Sequence, residues 1–249
     1  MEVRDAERQR IREAYARRKR EIPTDYYSPT RLSNLFLIQQ RARQGLAALS
    51  RAGLLPLRGH RVLEVGCGTR GWLADMEAWG AERRELAGID LDPDRAAACR
   101  RLLAAERDGK GLLLSPGAEI LEGDATALPW PGEVFDLAIL STLMTSILDA
   151  EVRATVAHES LRVLRPGGCI LWYDFAFNNP RNPDVRAVSR REIAELYAGC
   201  DVRLRRVTLA PPLSRKIVPV TWIGALLLES MKILNTHLLG IIRKPGKGA

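Results

Sequence analysis

Glu64-Val65-Gly66-Cys67-Gly68-Thr69-Arg70-Gly71 is the stretch on which the reading of this sequence turns. The apolar run Val62–Val65 leads into it, and an amphipathic segment near 70–79 leads out. Glycines after a strand let the backbone approach a ligand closely and open the next helix. The free amides at that helix start favour a negative group. Gly66, Gly68 and Gly71 fit the G-x-G-x-x-G spacing, and Asp90 stands nineteen residues beyond Gly71. That spacing serves a nicotinamide dinucleotide as well as other adenosine cofactors, so by itself it does not choose among them.

Outward from this loop, short apolar runs alternate with amphipathic segments. The runs predict strands at Val62–Val65, Leu86–Asp90, Ile120–Glu122, Leu137–Leu140, Cys169–Phe175, Val202–Leu209 and Thr236–Arg243. Helices are predicted near 70–79, 93–107, 149–164 and 189–198, with Asp92-Pro93 starting the second and Gly167-Gly168 ending the third. Such alternation means an α/β, Rossmann-like, mostly parallel sheet with helices on both faces. Residues 1–53 read as an N-terminal helical extension. In it Ile11 and Tyr15 share one side, Ser28-Pro29 is a helix start after a break at 22–27, and Gly53 is a stop. Residues 54–249 form the main domain, with a helical insert at about 211–235.

Carboxylates follow the strands at regular places. Glu64 precedes the first glycine, where it suits a ligand bearing an ammonium or sulfonium and would repel a pyrophosphate. The alternative is an ordinary strand-end carboxylate, but the loop beside it favours the ligand role. Asp90 ends the second strand in Gly88-Ile89-Asp90-Leu91-Asp92, where it can accept from both hydroxyls of a ribose while Leu91 flanks a base. Asp124 follows the third strand in Glu122-Gly123-Asp124-Ala125 and can accept from an adenine amino group beside Ala125. The fourth strand ends at Ser141, and Leu161-Arg162-Val163-Leu164-Arg165-Pro166-Gly167-Gly168 leads into the fifth.

In this order the segments resemble the class I S-adenosylmethionine-dependent methyltransferases of the broad small-molecule, type 11-like kind, over about residues 61–175. The resemblance implies seven strands, the seventh antiparallel and inserted between the fifth and sixth. It implies S-adenosylmethionine as cofactor, lined by Gly66, Gly68, Asp90, Leu91, Asp124, Ala125 and Ser141. Arg70 departs from the family pattern, which usually has glycine there; it alters the loop or sets a cation at the rim. The family topology makes the fifth and seventh strands neighbours. Asp174 and His237 are therefore expected to meet as an acid–histidine pair serving as catalytic base, the alternative being a strand-end aspartate and a hydrogen-bonded histidine. The polar loop 175–186 suits hydroxyl-rich or anionic acceptors, or is a plain connection. Tyr26 and Tyr27 close a lid or pack the extension.

The expected activity is transfer of a methyl group to a small molecule, at a hydroxyl oxygen of a sugar or natural product. Ser141-Thr142-Leu143-Met144-Thr145 stands where many amino-methylating nucleic-acid enzymes carry an NPPY-type sequence. The alternatives are an RNA methyltransferase, a nicotinamide-dependent oxidoreductase and a non-catalytic scaffold.

Composition bounds these readings. The chain has 249 residues, 46% apolar and 27% charged, which excludes wholesale disorder, collagen and coiled coil. Its four cysteines form no CxxC pair, so no zinc site or other metal is expected, and reduced thiols in a cytoplasmic protein are the simplest expectation. The N-terminus has no apolar signal-like region. The longest uncharged apolar run, 217–228, is twelve residues against the about 20 of a membrane span. The net charge is +8, with residues 203–249 carrying nine Arg/Lys against one Asp/Glu. No basic–aromatic interleaving accompanies it, so nucleic acid is not the expected partner. The basic-then-apolar segment 211–235 completes the core, makes a dimer contact or touches a membrane surface.

Overall fold

The computed structural model describes residues 2–23, 25–107, 113–180 and 182–248. Seven strands make one sheet: β1 (Val62–Val65), β2 (Leu86–Asp90), β3 (Glu119–Glu122), β4 (Phe135–Ser141), β5 (Leu164–Phe175), β6 (Asp201–Leu209) and β7 (Asn235–Arg243). Their order is β3-β2-β1-β4-β5-β7-β6. The first five pair in parallel, and β7 lies antiparallel between β5 and β6. This is the expected arrangement. Eight helices accompany the sheet among the described residues: α1 (Glu2–Glu21), α2 (Leu32–Arg51), α3 (Leu73–Ala78), α4 (Pro93–Leu102), α5 (Ala150–Arg162), α6 (Arg190–Leu196), α7 (Pro211–Ile217) and α8 (Trp222–Ser230).

Strand residues alternate between two cores, as the period-2 pleat requires. Leu137, Ile139, Leu171, Tyr173 and Leu239 join Leu49, Trp72 and Met76 on one face. Ala138, Leu140, Ile170, Trp172 and Leu238 join Val156, Ile193 and Tyr197 on the other. Both faces are buried, so the strands read as unbroken apolar runs.

Local chemistry moves several boundaries. Asp92 caps α4, accepting from the amides of Asp94 and Arg95 at 2.9 and 3.2 Å, but α4 stops at Leu102 and Glu106–Arg107 enter a short ribbon with Leu113–Ser115. Ser28 does not cap α2. Its hydroxyl accepts from the Thr30 amide at 3.2 Å, turns continue to Arg31, and the helix begins at Leu32. Gly167-Gly168 does not end a helix: α5 ends at Arg162 and the glycines lie within β5, where the register with β4 shifts. Among the described residues no helix is long and apolar enough to cross a membrane.

Candidate active site

The carboxyl ends of β1 to β4 open into one cavity of about 200 Å³. Gly66, Gly68, Asp90, Leu91, Asp124, Ala125, Ser141 and Glu64 all line it. The loop can turn there because Gly66 and Gly68 take φ of +76° and +62°, a region open to glycine at little steric cost. A Cβ on Gly68 would lie 2.7 Å from an Arg95 nitrogen, and one on Gly71 would overlap the Glu64 carboxylate.

Asp90 is held ready for a ligand. Its Oδ2 accepts from the Gly68 amide at 2.8 Å and its Oδ1 from the Asp92 amide at 3.0 Å. A carboxylate has about four acceptor sites, so it retains lone pairs for the two hydroxyls of a ribose. Arg95 Nε lies 3.8 Å from Oδ2. Asp124 Oδ1 accepts from the Thr126 amide at 2.8 Å, and its Oδ2 lies 3.4 Å from Arg8. The two acceptors therefore fit a nucleoside: a diol donating to Asp90, an amino group donating to Asp124.

Glu64 serves its own backbone. Its oxygens accept from the Trp72 amide at 2.8 and 3.0 Å and from the Leu73 amide at 3.2 Å, fastening the start of α3. Burial pushes its carboxyl up to about 8, against the lowering pull of those amides and of Arg41. Glu64 therefore both lines the cavity and anchors the start of α3. The sequence missed Thr142, which lines the cavity at φ +51°. A β-branched residue there is strained, and its hydroxyl and amide are tied to Ser141 O and Tyr173 O at 2.7 Å each.

The cover comes from α1. Glu7, Arg8, Ile11 and Tyr15, at helical spacing, line the cavity. Glu7 accepts from the Leu148 amide at 2.5 Å, Arg10 donates to Ser146 O at 2.5 Å, and Arg95 lies 4.4 Å from the Tyr15 ring centre. Tyr26 and Tyr27 are not part of it; they meet edge to face at 4.9 Å, with Arg215 over Tyr26. Arg41 and the exposed Arg70 also line the cavity.

The expected acid–histidine pair does not form. In the β5–β7 register His237 stands opposite Phe175, one residue past Asp174, so the two side chains point to opposite faces. His237 stacks on Tyr173 at 4.7 Å and lies 4.0 Å from the Phe175 ring. Burial takes its pKa down to about 3. Asp174 accepts from Thr145 Oγ1 at 2.6 Å, the Thr145 amide at 3.1 Å and the Phe175 amide at 2.9 Å. Neither lines the cavity. The polar groups of the loop 175–186 are engaged elsewhere: Asn178 accepts from the Ala187 amide at 2.7 Å, and Asp184 pairs with Arg17 of α1 at 2.5 Å. Arg181 of that loop, like Thr24 of the earlier break, lies outside the described residues.

Residues 62–168 match the family model described as a methyltransferase domain. Over 158 residues the chain is 28% identical to the phthiotriol/phenolphthiotriol dimycocerosates methyltransferase of Mycobacterium leprae, covering 57% of this chain and 51% of that one. Over 126 residues it is 36% identical to the fatty-acid O-methyltransferase of Mycolicibacterium smegmatis, covering 50% of this chain and 40% of that one. The chain thus spans about half the length of the curated relatives it matches. A solved S-adenosylmethionine-dependent methyltransferase of Methanosarcina mazei superposes with a TM-score of 0.50 at 17% identity, over 74% of this chain and 92% of that one, a likeness of fold. The matched methyltransferase domain favours a methyl donor over a nicotinamide dinucleotide at the glycine loop. By motif order, sheet topology and matched region, residues 62–168 are a methyltransferase domain, set in a chain with the fold of the class I S-adenosylmethionine-dependent methyltransferases.

Proposed function

We propose that this chain transfers a methyl group from S-adenosylmethionine to an oxygen of a small-molecule acceptor. The observation that carries this is the convergence of Gly66, Gly68, Asp90, Asp124 and Ser141, all within the matched domain, on a single cavity. Asp90 would hold the ribose hydroxyls, Asp124 the adenine amino group, and Leu91 and Ala125 the faces of the base. When bound, S-adenosylmethionine supplies a methyl carbon on a positively charged sulfur, open to in-line attack by the acceptor oxygen. The protein's part is orientation, which in favourable cases is worth roughly 7–11 kcal/mol of barrier. Ile11, Tyr15 and the rest of the α1 cover keep water out.

The acceptor reading sharpens toward a carboxylate. A hydroxyl of a sugar or natural product gains from a base, and the imidazole expected to be that base faces away from the cavity. A carboxylate is already deprotonated at neutral pH. Arg70, exposed on the cavity rim and without an ion-pair partner among the described residues, offers it a counter-charge. One relative is named for a fatty acid, which is such an acceptor.

The test is incubation with isotope-labelled methyl donor and panels of fatty acids, hydroxylated lipids and sugars, read by mass spectrometry. A product that releases its methyl group on mild alkaline hydrolysis is an ester, the expected result. An alkali-stable ether product would return the acceptor to a hydroxyl. No binding of S-adenosylmethionine by calorimetry would overturn the whole reading.

A further inference from the structure

Between β6 and β7 the chain inserts α7 and α8, at the same carboxyl edge of the sheet as the cavity. The inner side of this hairpin is packed. Phe36, Leu209, Val218 and Ala225 form a small core there, with Trp222 edge-on to Phe36 at 5.2 Å. The outer side is bare. Val220, Ile223, Leu227 and Met231, spaced three, four and four residues apart, are 83%, 70%, 63% and 60% exposed. Ile223, Leu227 and the C-cap residue Met231 are four apart and share one helix face, and the exposed Val220 in the turn before α8 and Ile233 after it extend the stripe. Singly scattered apolar residues are ordinary on a protein surface; a stripe marks contact with something apolar.

A cleft of about 230 Å³ adjoins the stripe, lined by Arg43, Arg51, Arg205, Arg206 and Lys232. Leu226 and Ser230 form its α8 wall. They lie one residue before Leu227 and Met231, about 100° round the helix. Among the described residues none of the five cations has an ion-pair partner; Arg205 donates to Gln44 O at 3.0 Å and Arg206 lies over the Phe177 ring at 4.5 Å. Deeper in the cleft are Glu229 and Asn235, only 4% and 2% exposed. Among the described residues Glu229 Oε2 and Asn235 Oδ1 find no hydrogen-bond partner. Cations outside and orphaned acceptors inside suit a phosphate ester that also carries a hydroxyl or ammonium group. That is the chemistry of a phospholipid headgroup.

We propose that the α7–α8 face docks on an anionic lipid bilayer, the stripe entering the interfacial layer and the arginine cleft taking one phosphate headgroup. A helix with an apolar face and basic flanks binds such a surface through both terms. A second copy of the chain is the poorer occupant. Glu229, the one carboxylate of residues 203–249, is buried, so a two-fold contact through this face would set cations against cations.

The experiment is flotation of the full chain with vesicles of phosphatidylcholine, alone or mixed with phosphatidylglycerol, with no cofactor or methyl acceptor present. Its result is therefore independent of the methyl-transfer reading. Binding is expected to the mixed vesicles, weakening as salt rises. The double variant Ile223→Ser with Leu227→Ser should bind at least about tenfold more weakly. Arg51→Gln with Lys232→Gln should bind roughly 30-fold more weakly, from about fivefold per cation near an anionic leaflet. Both variants should keep the wild-type melting temperature and cofactor affinity, since the altered residues lie outside the cofactor cavity. No flotation of the wild type, equal flotation with neutral vesicles, or a solution dimer that the stripe variant dissociates would each overturn the proposal.

Discussion

Two aspartates stand near the ends of parallel strands at one edge of this sheet, and they have opposite fates. Asp90 on β2 and Asp174 on β5 are both buried, 8% and 1% exposed. Asp90 takes one backbone amide on each oxygen and faces the cavity. Asp174 takes an amide and a hydroxyl from Thr145 and a further amide from Phe175, and burial raises its pKa to about 6. A strand-end carboxylate becomes a ligand-binding group when its own chain leaves lone pairs directed into open space. Otherwise it is an internal staple that shapes the loop beside it.

The largest effect should fall on the first aspartate. Asp90→Ala removes an acceptor of two charge-assisted hydrogen bonds, each worth about 1.5–3 kcal/mol. Cofactor affinity by calorimetry should drop at least about 100-fold; an unchanged value would erase the contrast. Asp174→Ala should do the reverse. It strands buried donors at about 1–3 kcal/mol each, so the denaturant midpoint should fall while cofactor affinity stays put. His237→Ala should likewise cost stability and leave turnover unchanged; a collapse of turnover in a folded variant would restore it to the chemistry.

Smaller effects test the electrostatics. Glu64 has a folded pKa of about 8 against its usual 4.5. The stability this group contributes is complete below 4.5 and lost as pH rises toward 8. Asp174 acts in the same direction between 3.8 and about 6. His237 acts oppositely, its contribution present above 6.5 and lost as pH falls toward 3. Glu64→Gln should therefore flatten the upper part of a melting-temperature profile against pH, and an unaltered profile would put the slope elsewhere. The least change belongs to Arg8→Ala. The pair with Asp124 is partly exposed, 43% and 20% at the two side chains, so about 0–1 kcal/mol is at stake. A cofactor affinity reduced by much more than about fivefold would show that α1 grips the nucleoside rather than merely covering it.

The two halves of the sheet also differ in how far they could be read in advance. On the β1–β4 side each ligand-facing group sits at a strand end or in the adjoining turn, so period, glycine spacing and acidic ends locate it. Arg95 and Thr142 escaped, the first because an arginine early in α4 looks like a solvated charge, the second because a positive φ leaves no mark on a threonine. On the β5–β7 side a one-residue offset in an antiparallel register decided everything. His237 pairs with Phe175 rather than Asp174, and the pleat then separates what neighbouring strands had brought together.

Periodicity and turn chemistry are local, and they sufficed for the strands, the loop at 66–71, the aspartates at 90 and 124 and the likeness to methyltransferase domains. Three things were left to long-range packing. These are the cover that α1 lays across the cavity, the burial of Glu64 against its own helix start, and the outward turn of Val220, Ile223 and Leu227 beside a cleft of arginines. The first depends on surfaces more than a hundred residues apart in sequence, the second on what closes over a carboxylate whose amide partners are only eight and nine residues away, and the third on which face of an element stays uncovered. Burial and charge proximity are properties of that assembly, and no short window of sequence contains them.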